Sequence, residues 1–517
     1  MCAASDYSTI DHQGVATTVP YNGKPQEPYF RFGSITMIRH ALVLRLVGAV
    51  AVAGTIAVAA SEVVRAQSRR EPDWLRLQAE TMQHYQAVLR MDSSDPPGNE
   101  KAVVDYLEQV LTREGIPVQR FEAEPNRINL VARLKGNGKK RPLLLMAHTD
   151  VVTVDPKKWT FPPFSATRDG GYVYGRGTID DKSHVAAHLM TMLELKRLGV
   201  PLDRDVIFLA EAGEEGTTRV GIEYMVKQHF ADIDAEFCIA EGGGVTRSNG
   251  RVLYASIQSA EKIPHAIELT ATGASGHGSV PLEGNAIGRL SAAVAKLVAW
   301  KPPIRLNDTT REYFTRMAQI SQPADAARYR AVLDPTSSAA SDAVDYFART
   351  QPRLASTLRS SISPTMIQGG YRVNVIPSEA KATLDVRLVP SEDVEQFLAE
   401  VRKVVNDPAV KVEYGARDVR PAVPAAKLDT EAMSALQTAV AQNYDTVLIP
   451  TMSTGATDMA YLRAKGMQCY GTGAAVDVED GPKGFGSHSD QERLLEEELY
   501  RFVRFSWDAV VNLARAR

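Results

Sequence analysis

Five short segments of this chain carry histidine or acidic residues, each where a buried strand is predicted to end. In chain order they are Met146–Asp150, Gly175–Lys182, Gly213–Gly216, Ala240–Gly242 and Gly486–His488. Collected at one edge of a sheet, their nitrogen and oxygen donors would supply enough ligands for two zinc-like ions. Two such ions can activate a water molecule for hydrolysis. The residue types therefore predict a hydrolase that uses a metal-activated water.

The first two segments each offer a candidate metal ligand. His148 directly follows an apolar run, and Asp150 is placed to bind the other ring nitrogen of a metal-binding imidazole. A strand-end histidine beside a solvated aspartate explains the same two residues, so alone they leave both interpretations open. Asp180 can bridge two ions through its two oxygens. Its neighbour Asp181 is also explained as a helix N-terminal residue, because the helix dipole favours acids there.

The next segments add three carboxylates and a histidine. Glu214 and Glu215 are adjacent in a glycine-flanked turn, so one can bind metal while the other serves as general base. A solvated acidic loop is the commoner fate of such a pair, but the apolar strand just before it favours the functional interpretation. Glu241 closes another buried strand, where an acid is costly unless it is paired or metal-bound. His488, taken alone, does not distinguish a functional role from a structural one.

Three further patterns bear on the chemistry. His277 lies in a glycine-rich loop, where it is either structural or a hydrogen-bond donor to an oxyanion. His184 and His188 are four residues apart, but a zincin motif needs glutamate where this chain has Val185. The sequence contains no Gly-x-Ser-x-Gly elbow, which disfavours a serine hydrolase.

Composition narrows the class of protein. The 517 residues are too many for one core, so two folded units plus appendages are predicted. Hydrophobic residues make up 44% and charged residues 23%, which is typical of soluble globular proteins. The net charge is −3 and the sequence has no long basic run, so nothing in it suggests a basic surface for binding nucleic acid. Of the three cysteines, Cys238 and Cys469 lie in apolar runs and are predicted to be buried core residues.

The N-terminal 66 residues form a separate region. Residues 1–36 are polar and aperiodic, and we predict that they are not part of the mature protein. Residues 37–66 have a basic start, an apolar run and small-residue cleavage sites, which is typical of a signal peptide. An uncleaved N-terminal anchor is the alternative, although the apolar run is short for a spanning helix. Either way we expect export to the periplasm, the cell envelope or the extracellular space.

Alternating strands and helices are predicted in residues 72–260 and 417–517. The predicted strands are Ile128–Leu134, Pro142–Ala147, Val206–Ala210, Phe237–Ala240 and Met467–Gly471. The predicted helices are Trp74–Leu89, Ala102–Leu111, Ser183–Leu198, Gly221–Phe230 and Gln491–Leu513. This alternation indicates an α/β catalytic domain with a mixed, mainly parallel sheet covered by helices. Ligands bind such sheets beyond the carboxyl ends of the strands, where the candidate residues lie.

Residues 261–416 have a different pattern. Strands and helices are predicted in the order β-α-β-β-α-β, which is the split-βαβ, ferredoxin-like motif. Its strands are predicted at His265–Thr272, Thr365–Gln368, Ala380–Leu388 and Val410–Tyr414, and its helices at Asn285–Trp300 and Glu392–Val405. A mostly helical stretch, Thr309–Leu358, follows the first helix. The catalytic domain is therefore predicted to be interrupted by a smaller α+β domain.

The ordered motifs resemble one family. His148-x-Asp150, Gly-Arg-Gly-x-x-Asp180, Glu214-Glu215-Gly, Glu241-Gly and the late His488 resemble the dinuclear-zinc metallopeptidases and amidohydrolases. That family includes aminoacylase, acetylornithine deacetylase, succinyl-diaminopimelate desuccinylase, carboxypeptidase G and carboxypeptidase S. The resemblance covers about residues 72–517 and implies that the inserted domain serves dimerisation and acts as a lid.

Some details favour one branch of the family. Ser183-His184 stands where glycines are common, and a long helical insertion follows Arg305. Both are more similar to the carboxypeptidase S and secreted N-acyl-amino-acid hydrolase branch. Gly213 stands where the family often has aspartate, which is a departure from the family pattern next to the proposed base.

The resemblance implies a role for each candidate residue. His148, Asp180 and Glu241 would bind one ion, and Asp180, Glu215 and His488 the other. Glu214 would be the general base and Asp150 would orient His148. His277 would reach across a dimer to the oxyanion. Asn374 and Arg387 match substrate-binding positions of the lid, and Arg387 would bind a substrate carboxylate bidentately.

The sequence thus predicts an exported zinc-dependent metallohydrolase that cleaves the amide bond of small peptides or N-acyl amino acids. Two Zn²⁺ per chain are expected, with Co²⁺ or Mn²⁺ as alternatives because carboxylate-rich sites accept several metals. A homodimer is expected from the resemblance alone. Aminoacylase specificity, a non-catalytic envelope binding protein and a structural dimer with solvated acids remain as alternatives.

Overall fold

The computed structural model describes residues 71–390, 392–415 and 420–516. Residues 1–36 and the predicted signal segment 37–66 lie outside the described residues. Within the described ranges, no helix combines the length and the apolar character that crossing a membrane requires.

The strands, in chain order, are β1 Ser94–Asp95, β2 Val118–Glu124, β3 Arg127–Leu134, β4 Leu143–His148, β5 Val151–Val152, β6 Thr167–Asp169, β7 Tyr172–Tyr174, β8 Val206–Glu211, β9 Phe237–Glu241, β10 Gly244–Ser248, β11 Arg251–Glu261, β12 Ile263–Thr272, β13 Gly276–His277, β14 Ser361–Gly369, β15 Val375–Ile376, β16 Glu379–Leu388, β17 Val410–Tyr414, β18 Leu448–Ser453, β19 Gln468–Thr472, β20 Ala475–Asp477 and β21 Arg493–Leu495.

The α-helices are α1 Trp74–Leu89, α2 Lys101–Arg113, α3 Lys182–Leu198, α4 Ile222–Gln228, α5 Phe230–Ile233, α6 Ala286–Ala299, α7 Asp308–Ile320, α8 Pro323–Val332, α9 Ser338–Thr350, α10 Pro352–Ser356, α11 Val394–Val405, α12 Glu431–Tyr444, α13 Met459–Ala464 and α14 Glu496–Ala514. Short 3-10 helices lie at Pro156–Lys158 and Thr218–Val220.

A ten-stranded sheet forms the larger part of the fold. Its order is β2-β3-β8-β4-β9-β19-β11-β10-β20, with β18 paired to β11. The central strands β8, β4, β9 and β19 are parallel, whereas β3 pairs antiparallel with β2 and β8, and β10 pairs antiparallel with β11. This confirms the predicted mixed α/β sheet with a parallel centre.

Helices cover both faces of this sheet, which explains the continuous apolar runs of β4, β8 and β9. In β4, Leu143 and Leu145 face the core formed with α1, α2, α3, α12 and α14. Leu144 and Met146 face the opposite core, formed with α4 and α13. With both faces buried, only the ends of the strands can carry charged side chains at low cost.

A second sheet has the order β14-β16-β12-β17 and is antiparallel throughout. With helices α6 and α11 it follows the predicted β-α-β-β-α-β order, and its buried residues form a separate core. The chain enters this smaller α+β unit directly from the large sheet, because only Lys262 separates β11 from β12.

The helical insertion α7–α10 packs on the large sheet. Phe314 and Phe347 of the insertion share a hydrophobic cluster with Ile449 of β18. The guanidinium of Arg316 donates to the backbone oxygen of Leu448 at 2.6 Å. The insertion therefore lies beside the strands that carry the candidate site.

Two helices and three strands of the large unit differ from the prediction. The helix expected to begin at Gln491 begins at Glu496, because residues 493–495 pair with β7 as a strand. The helix expected over Gly221–Phe230 is interrupted at His229, and α5 continues beyond it. Strands β10, β11 and β18 were not predicted.

A buried ion cluster gives a stability prediction. Arg127 binds Glu100 at 2.8 Å and Asp95 at 3.0 Å, and the side chains of these acids are 0% and 2% exposed. Arg127→Met would leave both carboxylates buried without their cation, so we expect a loss of about 3–5 kcal/mol in the free energy of unfolding. Urea denaturation measures it.

The control for that prediction is Arg120→Met. Arg120 pairs with Asp105 and Glu108, but all three side chains are about one-third exposed or more. Solvent screening limits the expected loss to about 1 kcal/mol or less. Equal losses in the two variants would show that burial does not set the strength of the Arg127 cluster.

Candidate metal centre

The topology of the large sheet brings three predicted ligand segments together. Strand β4 ends at His148 and lies between β8 and β9 in parallel pairing. Strand β9 ends at Glu241, and the Glu214-Glu215 turn follows β8. Because parallel strands end at the same edge of a sheet, these side chains meet beyond that edge.

Asp180 joins the two histidines. One of its carboxylate oxygens, Oδ1, lies 2.9 Å from Nε2 of His148, and the other, Oδ2, lies 3.2 Å from Nε2 of His488. Nε2 of His148 is also 3.8 Å from Oε2 of Glu241. Nε2 of His488 is 3.0 Å from Oε1 of Glu215. All five predicted ligands are therefore neighbours, with Asp180 at the centre.

Two sets of donor atoms within the described residues are compact enough for a metal ion. His148, Asp181 and Glu241 form one set, and His148, Asp180 and Glu215 form the other, with donors within 4.8 Å of each other. The sets overlap the predicted ligands but include Asp181 and omit His488. The assignment of each ligand to an ion therefore stays a prediction.

The donor set fits zinc-like cations. Burial, followed by repulsion from Asp180, raises the pKa of Glu241 to about 8. Burial and the charge of Glu241 likewise raise the pKa of Glu214 to about 8. Carboxylates crowded in this way are stabilised by a cation among them. Imidazole nitrogens with carboxylate oxygens suit Zn²⁺, and carboxylate-rich sites also accept Co²⁺ or Mn²⁺.

Asp150 contacts both sides of the centre. Nδ1 of His148 lies 3.0 Å from the backbone oxygen of Asp150 and 3.6 Å from its carboxylate. That carboxylate accepts the backbone N–H groups of Glu214 at 3.2 Å and Glu215 at 3.0 Å. Asp150 therefore holds the Glu214-Glu215 turn in place, a role that the sequence pattern did not reveal.

Arg420 is a site residue that the sequence analysis missed. Its guanidinium lies 3.1 Å from Oε1 of Glu214 and 2.9 Å from Oδ1 of the buried Asp458. It therefore places a positive charge beside the candidate base. No local pattern marks Arg420, because its partners are far away in the sequence.

A cavity of about 1210 Å³ opens beside the centre. The candidate base Glu214, the predicted ligand His488 and the predicted substrate residue Arg387 all line it. The guanidinium of Arg387 also donates two hydrogen bonds to the carboxylate of Asp385, at 2.7 and 3.2 Å. The insertion contributes Thr310, Tyr313, Gln351, Pro352, Arg353, Leu354 and Thr357 to the wall.

His277 and Asn374 lie together on the smaller unit. The backbone of His277 pairs with Val375, and the N–H of Gly278 donates to the backbone oxygen of Asn374 at 2.8 Å. Both residues are exposed, and neither is among the described residues that line the cavity. One chain alone does not bring them to the metal centre.

The histidine pair of α3 and the two cysteines of the large sheet are buried and lie outside the candidate ligand sets. His184 and His188 are buried in α3, and burial lowers the pKa of both, which favours neutral rings. Neither belongs to a donor set among the described residues. Cys238 and Cys469 are buried free thiols on neighbouring strands, as predicted.

Comparison with known sequences identifies similar proteins. A profile of the family described as Peptidase family M20/M25/M40 matches residues 144–511. The chain is 30% identical over 338 residues to the probable carboxypeptidase S-like 2 of Dictyostelium discoideum, a match covering 62% of each chain. It is 24% identical over 392 residues to mouse aminoacylase-1, covering 75% of this chain and 85% of the relative. The match to the carboxypeptidase S-like relative thus spans less than two thirds of that protein.

Two other similarities complete the comparison. Human PM20D1, named an N-fatty-acyl-amino acid synthase/hydrolase, is 29% identical over 275 residues, covering 52% of this chain and 54% of PM20D1. Among solved structures, the M20 family metallo-carboxypeptidase Sso-CP2 from Sulfolobus solfataricus gives a TM-score of 0.62 at 21% identity. That alignment covers 86% of this chain and 99% of Sso-CP2, and at this identity it shows the shared fold.

Proposed function

This chain belongs to peptidase family M20/M25/M40, and we propose that it is a dinuclear zinc hydrolase of amide bonds next to a free carboxylate. Its substrates would be small peptides or N-acyl amino acids. One observation carries the proposal: the carboxylate of Asp180 directs one oxygen to each of two histidines, beside the buried Glu214.

The proposal assigns the metal ligands by the family pattern. His148, Asp180 and Glu241 would hold one zinc ion, and Asp180, Glu215 and His488 the other, with Co²⁺ or Mn²⁺ as substitutes. When bound, the ions supply Lewis acidity that polarises the substrate carbonyl and makes water easier to deprotonate. Asp150 keeps the Glu214-Glu215 turn fixed through its two backbone contacts.

Glu214 carries the proton transfers. Its raised pKa suits a carboxylate that takes a proton from the attacking water and returns it to the leaving nitrogen. Arg420 orients the Glu214 carboxylate through the 3.1 Å contact. Arg387 lies in the same cavity, where its guanidinium can bind the carboxylate of the substrate.

Carboxypeptidase-like specificity is the first candidate and aminoacylase specificity the second. The carboxypeptidase S-like and aminoacylase-1 relatives support the two readings respectively. A panel of dipeptides and N-acyl amino acids, each also supplied as its C-terminal amide, separates them. Cleavage that needs the free carboxylate supports the proposal, and the preferred group on the acyl side of the bond, an amino acid or a simple acyl group, names the activity. Binding without cleavage of any substrate would favour the envelope binding protein.

We also propose that the mature protein is exported, because residues 37–66 have the composition of a signal peptide. Expression of the full chain tests this. Intact-mass analysis of the protein recovered outside the cytoplasm should find a new N-terminus within or just after residues 37–66. Recovery of the full-length chain only from the cytoplasm would contradict export.

We propose a homodimer formed through the smaller unit. Strand β14 is an edge strand with exposed Met366 and Ile367, 56% and 62% accessible, and such edges pair readily with a second chain. A partner placed there offers a route for His277 to approach the metal centre of the other chain.

Ile367→Glu should give a monomer in light scattering and lower kcat, whereas Leu253→Glu on the large sheet should do neither. A wild-type monomer would contradict the dimer.

A further inference from the structure

Glu492 lies four residues after His488 and does not belong to the proposed ligand set. Its side chain is 0% exposed, although it carries a carboxylate. Burying an unpaired carboxylate is costly, so the surroundings of Glu492 must supply compensating donors. They all come from the loop that carries Asp180.

Four donors bind the two oxygens of Glu492. Oε1 accepts the backbone N–H of Ile179 at 2.7 Å and of Asp180 at 3.1 Å. Oε2 accepts the backbone N–H of Gly177 at 3.1 Å and the guanidinium of Arg176 at 2.6 Å. Bonds from backbone N–H groups fix the path of the chain, so Glu492 determines where the backbone of Asp180 lies.

Arg176 completes the connection in the opposite direction. Its second guanidinium nitrogen donates to the backbone oxygen of Ser489 at 2.9 Å, next to His488. The backbone N–H of Gly175 donates to the backbone oxygen of Glu492 at 3.1 Å. The loop of Asp180 and the loop of His488 are therefore bound to each other through this buried ion pair, next to the backbone pairing of β7 with β21.

The other ligands are held independently of this pair. His148 and Glu241 end strands β4 and β9, which the sheet hydrogen bonds fix. Glu215 lies in the turn bound by Asp150. Of the five proposed ligands, Asp180 and His488 lie on the two loops that Arg176 and Glu492 join.

We infer that Glu492, with Arg176, is a positioning residue that sets the distance between Asp180 and His488. This rests on the proposed function. It implies that losing the pair weakens the ion held by Asp180, Glu215 and His488 more than the ion held by His148, Asp180 and Glu241. Residues that orient metal ligands typically contribute about 10- to 100-fold in metal affinity.

The test is titration of zinc into the metal-free full-length protein, followed by calorimetry. Glu492→Gln keeps the size of the side chain but replaces one acceptor oxygen with an N–H donor. The variant should bind the zinc ion assigned to Asp180, Glu215 and His488 about 10- to 100-fold more weakly, and should lose less affinity for the other ion. Circular dichroism confirms folding.

Glu498→Gln is the matched control. Glu498 is also buried, at 2% exposure, and binds Arg247 at 2.8 Å, but it touches no ligand loop. We expect this variant to bind both ions normally. Two unchanged affinities in Glu492→Gln, or the same selective loss in Glu498→Gln, would overturn the inference. If Glu492→Gln does not fold, Arg176→Gln is measured with the same expected and contradicting results. A wild-type protein that binds no zinc would instead refute the proposed function itself.

Discussion

Replacing Glu214 with glutamine is expected to lower kcat for amide hydrolysis by about 100- to 10,000-fold, the usual contribution of a general base. The amide of glutamine cannot accept the proton of the attacking water at neutral pH. The contact with Arg420 can persist, because the amide oxygen still accepts a hydrogen bond. Steady-state kinetics with the best substrate of the panel measures the effect.

Glu215→Gln separates catalysis from metal binding. Glu215 is the neighbouring residue in the same turn, and its carboxylate contacts His488. We expect Glu214→Gln to keep the wild-type metal content, whereas Glu215→Gln loses metal. Full activity in a zinc-loaded Glu214→Gln protein would contradict the role of Glu214 as the base.

The second large effect is expected for Asp180→Asn. Asparagine keeps the shape of aspartate but offers one neutral oxygen where the carboxylate offers two anionic ones. Because the two oxygens face different histidines, both ions should weaken, and the metal content should fall to about one ion per chain or fewer. Elemental analysis after dialysis, together with the loss of hydrolysis, measures this.

Asp181→Asn is the control for Asp180. Asp181 is the next residue, is fully buried, and its carboxylate contacts Nδ1 of His184. Burial raises the pKa of Asp181 well above its usual range, so the neutral asparagine is a tolerable replacement. If Asp181→Asn loses metal while Asp180→Asn keeps it, the bridging role belongs to Asp181.

The strands that carry the site were predictable because their sequences indicate how they are buried. Strands β4, β8 and β9 are apolar throughout, which requires cover on both faces, and the acids and His148 appear just where those runs end. The meeting of these residues then follows from the parallel pairing. In contrast, β10 and β11 mix polar and apolar residues and were missed.

Contacts between residues far apart in sequence were not predictable. Arg420 lies 206 residues from Glu214, and Glu492 lies 312 residues from Asp180. Local spacing marks neither residue. The sequence pattern indicates burial and periodicity, but not which distant residue a side chain contacts. The packing of the insertion against β18 was missed for the same reason.

The most direct test of the central claim is the metal content of the purified mature chain, measured beside its hydrolysis of dipeptides and N-acyl amino acids. Two zinc ions per chain, with cleavage that stops in chelator and returns with zinc, is the predicted result. A chain that binds no zinc after reconstitution and cleaves no substrate would contradict the account.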